Sequence, residues 1–230
     1  MSDLVIPKHI GFIVDGNRRW AKQRGLPSFN GHAKGYDIVK EIMIATFDAG
    51  VKFASVYAFS TENWKRSEDE VNKLMGLFLK VLTSDLDIFD KNNIRLKILG
   101  SRDKLSKSIL KAIDKAEQKT VNNTAGTLAL CFNYGGQLEI VDAVKKIVRS
   151  GVGLDDITTN LIEQNLYSPE IPPIDIVVRT SGEQRLSNFM LWRSAYSEMM
   201  FIDKMWPDMT KDDVTDIINE YSKRSRRFGG

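Results

Sequence analysis

The sequence predicts a single α/β domain with a central, mostly parallel sheet of about six strands flanked by helices. Three observations carry this expectation. Short apolar runs alternate with stretches of helical periodicity along all 230 residues. The first runs lack polar alternation, as in strands buried on both faces. Turn residues and polar clusters follow the runs, where strands would give way to helices. No linker, low-complexity segment or clear internal repeat divides the chain, so residues 1–230 are expected to form one domain with a basic tail over 223–230.

In order along the chain, residues 10–14 (Ile-Gly-Phe-Ile-Val) read as a buried strand. Asp15-Gly16-Asn17 breaks it, and a short helix is expected from Arg18. A second helix is expected over 33–48, with Tyr36, Val39, Met43 and Phe47 at helical spacing. Residues 53–59 read as the next strand and 60–63 as a polar loop. Ser67 and Glu70 have capping-box spacing before one long helix, from about 67 to 91. Strands follow at 94–99, 127–132, 174–178 and 199–202. Helices are expected at 104–119, from Gly135-Gly136 to about 148, at 154–166 and at 211–223. Pro169, Pro172 and Pro173 mark a loop.

The long helix has an unusual surface. Its apolar residues, among them Val71, Leu74, Phe78, Val81, Leu82 and Phe89, cover about 200° of the wheel at 100° per residue. A one-sided helix needs a stripe of about 100°. Either the helix is buried between the sheet and a partner subunit, or part of it lines an apolar channel. Leu74, Phe78 and Leu82 recur on one stripe and are expected to face any such channel.

Composition excludes several classes. Apolar residues are 42% and charged residues 27%, which excludes a disordered chain. Lys plus Arg is 33 against 30 Asp plus Glu, but Lys223, Arg224, Arg226 and Arg227 crowd the last eight residues. The remainder is nearly neutral, unlike the basic face of a nucleic-acid binder. A single cysteine, Cys131, excludes a disulfide framework and a Cys-rich metal site. No secretory signal or membrane-spanning run is visible, so a cytoplasmic setting is expected.

In open parallel sheets, ligands bind beyond the carboxyl ends of the strands. The segments after the strands are dense in polar groups. Asp15-Gly16-Asn17-Arg18-Arg19-Trp20 offers a helix start suited to an anion, two guanidinium groups, and a carboxylate for a hard cation such as Mg²⁺. The alternative is an Asp that caps the helix beside two solvated arginines. His32 can donate to a phosphate, or simply pack. Ser60-Thr61-Glu62-Asn63-Trp64-Lys65-Arg66 offers a neutral amide and another anion ligand, or a turn with its cap. Arg179 and Arg185 bracket hydroxyls in a segment able to clamp a second phosphate group. Glu198 offers a further carboxylate, or is solvated or paired. The tail ending in Gly229 and Gly230 is a solvated end, or a segment whose glycines permit close approach to a ligand. No Walker loop or Gly-x-Gly-x-x-Gly fingerprint is present, which argues against a nucleotide-binding module.

These segments, in this order from His9 to Gly230, resemble the cis-prenyltransferase family, also called the undecaprenyl diphosphate synthase family. The resemblance rests on 9–21 (His-Ile-Gly-Phe-Ile-Val-Asp-Gly-Asn-Arg-Arg-Trp-Ala), Gly31-His32, 57–66 and Asn133-Tyr134-Gly135-Gly136. It continues through 179–189, Trp206-Pro207-Asp208 and Arg227-Phe228-Gly229. It implies successive cis-condensation of isopentenyl diphosphate onto an allylic diphosphate such as farnesyl diphosphate, giving a polyprenyl diphosphate such as an undecaprenyl carrier precursor. By the match, Asp15 is a Mg²⁺ ligand and a catalytic group, and Glu198 the second metal ligand. Gly16, Asn17, Arg18 and Arg19 cradle the allylic diphosphate, with Trp20 and His32 beside them. Asn63 acts at proton removal, with released diphosphate as the base. Ser60, Thr61, Glu62, Trp64 and Arg66 complete that wall. Arg179, Arg185, Leu186 and Ser187 bind isopentenyl diphosphate. Arg227 and Gly229 reach the site of a partner subunit, implying a homodimer, and the lipid product implies a peripheral membrane contact.

Two positions depart from the pattern. Ser28 and Gln137 stand where arginine is frequent in the family; the first bears on one diphosphate contact, and either weaker allylic-substrate binding or a different substrate length is expected from it. A non-catalytic subunit of the family would be expected to lack Asp15 and Asn63, and both are present. A short-chain cis-prenyl diphosphate synthase is the other alternative.

Overall fold

Residues 4–224 are described by the computed structural model. Six strands form one sheet: β1 His9–Ile13, β2 Phe53–Ser60, β3 Ile94–Leu99, β4 Gly126–Tyr134, β5 Ile176–Thr180 and β6 Glu198–Ile202. Their order is β3-β4-β2-β1-β5-β6, and every pairing is parallel. The chain leaves β1 toward β2 on one side and returns to β5 on the other. That reversal opens a crevice at the carboxyl end of β1, where ligands of such sheets bind.

Alternate strand residues serve two cores. Ile10, Phe12, Val56, Leu130, Phe132 and Val178 face one, under helices α2 (Ser28–Asp48), α3 (Glu68–Leu82), α4 (Leu86–Lys91), α5 (Lys107–Lys119) and α8 (Lys211–Lys223). Ile13, Cys131 and Val177 face the other, with Ile174 and Phe189. Helices α6 (Gly136–Arg149) and α7 (Thr159–Asn165) pack together. A fully buried ion pair, Glu139–Arg193 at 2.7 Å, ties α6 to the 166–193 segment. Arg193 also donates to the carbonyls of Tyr167 and Ile171, and Tyr134 Oη donates to Glu139, so neither charge is left bare. His9 is fully buried between the Pro172 carbonyl and Ser55 Oγ, each 2.8 Å from a ring nitrogen. Burial lowers its pKa from 6.5 to about 4, so the ring is neutral.

Several elements differ from expectation. The second helix begins at Ser28 rather than 33, after Pro27. Gly31 reads as a breaker in sequence, yet here it lies inside the helix and gives room to the neighbouring α1 (Asn17–Gln23). The long helix over 67–91 is two helices, broken at Thr83–Asp85. Thr83 Oγ1 bonds the Leu79 carbonyl and Ser84 Oγ that of Lys80, so these side chains compete for the helix backbone. The 200° apolar surface lies within α3 itself, from Leu77 round to Leu79, so the break does not account for it. The 154–166 stretch is a 3₁₀ turn, Leu154–Asp156, followed by α7, which Thr158 caps. The helix expected from 104 starts at Lys107, where Ser106 accepts the Ile109 N–H. β5 runs to Thr180, which puts Arg179 in a strand rather than a loop.

Candidate active site

The site grows from the end of β1. Asp15 leaves the strand, and Gly16 turns the chain into α1 at φ +100, a left-handed conformation that favours glycine. A Cβ there would also come within 3.0 Å of Ser181. The Asp15 backbone is pinned, because its carbonyl accepts from Thr180 Oγ1 at 2.7 Å and from the Trp206 N–H at 3.0 Å. Its carboxylate does not cap α1. Oδ1 accepts the Gly16 N–H at 2.7 Å, and Oδ2 meets Arg179 at 2.8 Å. Arg179 is buried and arrives from β5 across the crevice. Its guanidinium also donates to Ser187 Oγ at 2.7 Å and to the Arg185 carbonyl. One strand residue thus ties the Asp15 loop to the 185–187 loop.

Asn63 stands at the other wall, in the 3₁₀ turn Thr61–Lys65 that follows β2. Its Oδ1 accepts the Ser60 N–H at 3.1 Å. That contact fixes the amide orientation and leaves Nδ2 as the donor this side chain offers the cleft. Arg66 pairs with Glu70 at 2.8 Å, and His32 Nε2 lies 3.5 Å from the same carboxylate oxygen. Burial lowers the His32 pKa, and the Arg66 and Arg18 charges add to this against Glu70. His32 is therefore a neutral imidazole at neutral pH. For Glu62, burial alone would raise the pKa. Hydrogen bonds from its own backbone, Asn188, Ser60 and Thr61 outweigh that, and the carboxyl lies below its ordinary value.

Two connected spaces lie between these walls. A polar cleft is lined by Asp15, Arg18, Arg19, Asn63 and Arg66. An apolar cavity runs from it beneath α2 and α3, lined by Val39, Val56, Leu77, Phe78 and Leu130 among others. Its interior has room of about 100 Å³ for water-sized occupants. Val14, Asn17, His32, Ala58 and Leu74 line both spaces, so the two open into each other. Asn17 Oδ1, His32 Nε2 and Arg179 Nε are buried with no hydrogen-bond partner among the described residues. Unpaired buried polar atoms at a cleft are costly unless water or a ligand meets them.

A profile of the family described as "Putative undecaprenyl diphosphate synthase" matches residues 13–229. The chain belongs to this family. It is 44% identical to the isoprenyl transferase of Thermotoga maritima, over 98% of this chain and 97% of that protein. It is 46% identical to the isoprenyl transferase of Neisseria meningitidis serogroup A, over 100% of this chain and 92% of that protein. Among solved structures, lavandulyl diphosphate synthase from Lavandula x intermedia, in complex with dimethylallyl diphosphate, superposes with a TM-score of 0.94. Its sequence identity is 33%, with 99% of this chain and 100% of that chain covered. A probable undecaprenyl diphosphate synthase from Campylobacter jejuni superposes with a TM-score of 0.83 at 31% identity, with both chains fully covered.

The residues expected from the family's motifs fall into three groups. Asp15, Gly16, Asn17, Arg18, Arg19, His32, Ser60, Glu62, Asn63, Arg66, Arg179 and Ser187 line the polar cleft or its open continuation. A second group lies behind it. Trp20 turns to Asp208, donating at 2.6 Å under the stacked Arg24 guanidinium. Trp64 donates to Asn133 Oδ1 at 2.7 Å and packs edge-on against Phe59. Thr61 sits against Gly135. Arg185 pairs with Glu183, which also pairs with Arg19, while Ser181 accepts from Arg19. Leu186 packs on the second core.

Glu198 forms the third group. It is the first residue of β6, level with Ile176 and hence with Ile10, and pairs with Arg224 at 3.0 Å. Asp15 is five residues beyond Ile10, roughly 16 Å along the strand direction. One chain therefore does not bring the two carboxylates together. Arg227 and Gly229 lie outside the described residues. Of the Leu74, Phe78 and Leu82 stripe, the first two line the cavity, whereas Leu82 is buried in the core and Val81 takes its place. Ser28 lines an outer groove with Arg18, Arg19 and Lys22, and Gln137 is exposed at the start of α6.

Sequence reasoning missed the residues that hold this frame. Asn188 accepts the Gly136 and Gln137 N–H groups and donates to Glu62, joining α6 to the wall of the cleft. Asn133 holds Trp64 while donating to the carbonyls of Ser101 and Asp103. Both take positive φ, 66 and 49, and Asn tolerates this better than most residues. An Asn beside a glycine or at a loop end was the available signal.

Proposed function

We propose that this member of the isoprenyl transferase family condenses isopentenyl diphosphate onto an allylic diphosphate, farnesyl diphosphate being the expected starter, with a new cis double bond at each step. One observation carries the reading: a polar, arginine-lined cleft opens directly into an apolar cavity. That pairing suits a substrate with a diphosphate head and a hydrocarbon tail. Arg18, Arg19 and the start of α1 hold the allylic diphosphate. Arg179 and Ser187 hold the second diphosphate, with Arg66 between the two.

The donor set fits Mg²⁺. Among the described residues no group of three or more His, Cys, Asp or Glu side chains could cage a metal alone. Mg²⁺ is usually held by one or two carboxylates plus substrate phosphates, and Asp15 is one such carboxylate. When bound, the ion neutralises charge on a departing diphosphate. Within one chain, Asp15 is the contact. Glu198 would join it only from a second copy, consistent with a homodimer in which the tail crosses between subunits.

The chain's own residues do the rest. Arg179 sets the Asp15 carboxylate by bonding Oδ2. Asn63 Nδ2 donates to an oxygen, so it positions the condensing unit and its diphosphate base rather than taking the proton itself. The neutral His32 donates or accepts one hydrogen bond at the head of the cavity. Val14, Ala58 and Leu74 keep water from the reacting carbons.

No described helix is long and apolar enough to cross a membrane. Access to a lipid product therefore rests on peripheral contact. A second reading, a short-chain product, is favoured by the closer superposition on the lavender enzyme than on the Campylobacter one. Incubation with labelled isopentenyl diphosphate, farnesyl diphosphate and Mg²⁺, followed by solvent extraction and chromatography, tests both readings. Long labelled products support the first and products extended by one or two units the second. No extractable label overturns the enzyme reading.

A further inference from the structure

A polar cluster at the break between α3 and α4 closes one side of the apolar cavity. Tyr36 lines the cavity from α2. Its Oη donates to Asp85 Oδ2 at 2.7 Å, and Asp85 lies in the break itself. Lys40 of α2 and Lys80 of α3 lie 3.0 and 3.7 Å from the same oxygen. Their ammonium groups also approach the Tyr36 ring, at 4.5 and 5.5 Å from its centroid. The ring therefore lines the cavity while two ammonium groups sit over it and a carboxylate holds its hydroxyl. Burial raises the Tyr36 hydroxyl pKa, and the Tyr36 and Lys40 bonds hold Asp85 low against its own burial. The clasp keeps its protonation state across neutral pH.

From this we infer that Tyr36, anchored by Asp85, is a specificity-determining wall that limits the length of hydrocarbon the cavity holds. The argument is positional. His32 and Tyr36 are one turn apart on α2 and both line the cavity, but only His32 also lines the polar cleft, so the ring stands deeper along a chain entering from the cleft. Opposite it, Leu77 and Phe78 of α3 narrow the same level, and Phe78 is stacked on Phe132 at 3.4 Å. Phe78 is fixed by that stack and by the core. Tyr36 is only partly buried against the same core and has no such stack among the described residues, but its far end is held by Asp85, which makes it the adjustable wall. The Thr83–Asp85 break that interrupts the long helix is what places a carboxylate there.

This inference rests on the hydrocarbon reading of the cavity, and one titration separates the two. The probe is a series of n-alkyl monophosphates of stepwise increasing chain length, with affinity measured for the wild type, Tyr36→Ala and Asp85→Ala. In the wild type, affinity should rise about fourfold for each CH₂ that enters the cavity. It should flatten once the chain meets the wall. Tyr36→Ala should move that break-point to longer chains. Asp85→Ala keeps the ring but releases it, and should move the break-point in the same direction. It carries the test if the Tyr36 variant fails to fold. Break-points unchanged in the folded variants, even with lower thermal stability, would overturn the inference and leave Tyr36 an ordinary packing residue. Absence of any rise with chain length in the wild type would instead overturn the hydrocarbon reading, and the inference with it.

Discussion

Two glycines in helices make opposite predictions from the same substitution. Gly76 lies on the exposed side of α3, and a Cβ there would meet nothing within 4 Å. Gly76→Ala should therefore gain the helix-interior preference for alanine, about 1 kcal/mol, with activity unchanged. Gly35 lies inside α2, where a Cβ would overlap Asn17 Oδ1 and come 3.2 Å from the Trp206 ring. The same gain is set against an overpacking cost of about 1–3 kcal/mol, so Gly35→Ala should be between neutral and about 2 kcal/mol less stable. The functional effect should be larger than the stability effect. Asn17 opens α1 and donates to the Val14 carbonyl at 2.9 Å, so displacing it moves the start of α1 and the arginines beside it. A displacement of about 1 Å near reacting groups can cost on the order of 100-fold in rate. Urea unfolding and kcat/KM measured on both variants check this. Equal stabilisation by the two substitutions, with full activity in each, would refute the packing of α1 on Gly35 as the element that positions the cleft.

Asp15→Ala should abolish most turnover while the fold survives, since the carboxylate is partly exposed and Arg179 keeps its bonds to Ser187 and Arg185. A variant that keeps more than about a tenth of the rate, a barrier change under roughly 1.4 kcal/mol, counts against the assignment. Ala58 lies where the polar cleft meets the apolar cavity, so Ala58→Leu should shorten the products seen by chromatography; an unchanged distribution would show that growing chains do not pass it. His9 makes stability pH-dependent. Its folded pKa is depressed to about 4 from 6.5, so the unfolded chain binds the proton first as pH falls. Stability from this residue is complete above 6.5 and is lost between 6.5 and 4, by about 3 kcal/mol in all. Denaturant titrations across that window should show the slope, and a His9→Asn variant should lack it.

The sheet was legible because its central strands are buried on both faces. Residues such as Phe53–Phe59 or Thr127–Phe132 leave no helical stripe to misread, and all six strands lie within two residues of expectation at each end. Helix ends were less legible, because side-chain competition and packing decide them. Ser28 starts α2 although Gly31 resembles a stop, since Gly31 exists to admit the Asn17 backbone rather than to end a helix. Thr83, Ser84 and Asp85 interrupt an otherwise continuous apolar pattern. Thr83 and Ser84 compete locally for the helix backbone, and Asp85 is held by Tyr36 and Lys40, 49 and 45 residues earlier, contacts that no local reading connects.

The site divides along the same line. Groups that face the cleft, apart from His32 inside α2, stand just past a strand or at its end, and the rule for parallel sheets finds them without knowledge of any contact. Groups that hold those groups are spread through the chain and recognisable only by what they bond. Arg179 belongs to both sets. Its side chain is 4% exposed and bonds Asp15, Ser187 and the Arg185 carbonyl, yet its Nε has no partner. A purely structural arginine at this depth would be expected to pair every donor, because an unpaired buried donor costs about 1–3 kcal/mol. The unpaired Nε, at the wall of the open cleft, is what supports the proposal that Arg179 also meets a ligand. Arg179→Lys should fail on both counts, since a single ammonium cannot span Asp15 and Ser187 while offering a further planar donor. Both the stability and the apparent affinity for isopentenyl diphosphate should fall. A lysine variant that loses stability but binds that substrate normally would confine Arg179 to holding the two loops together.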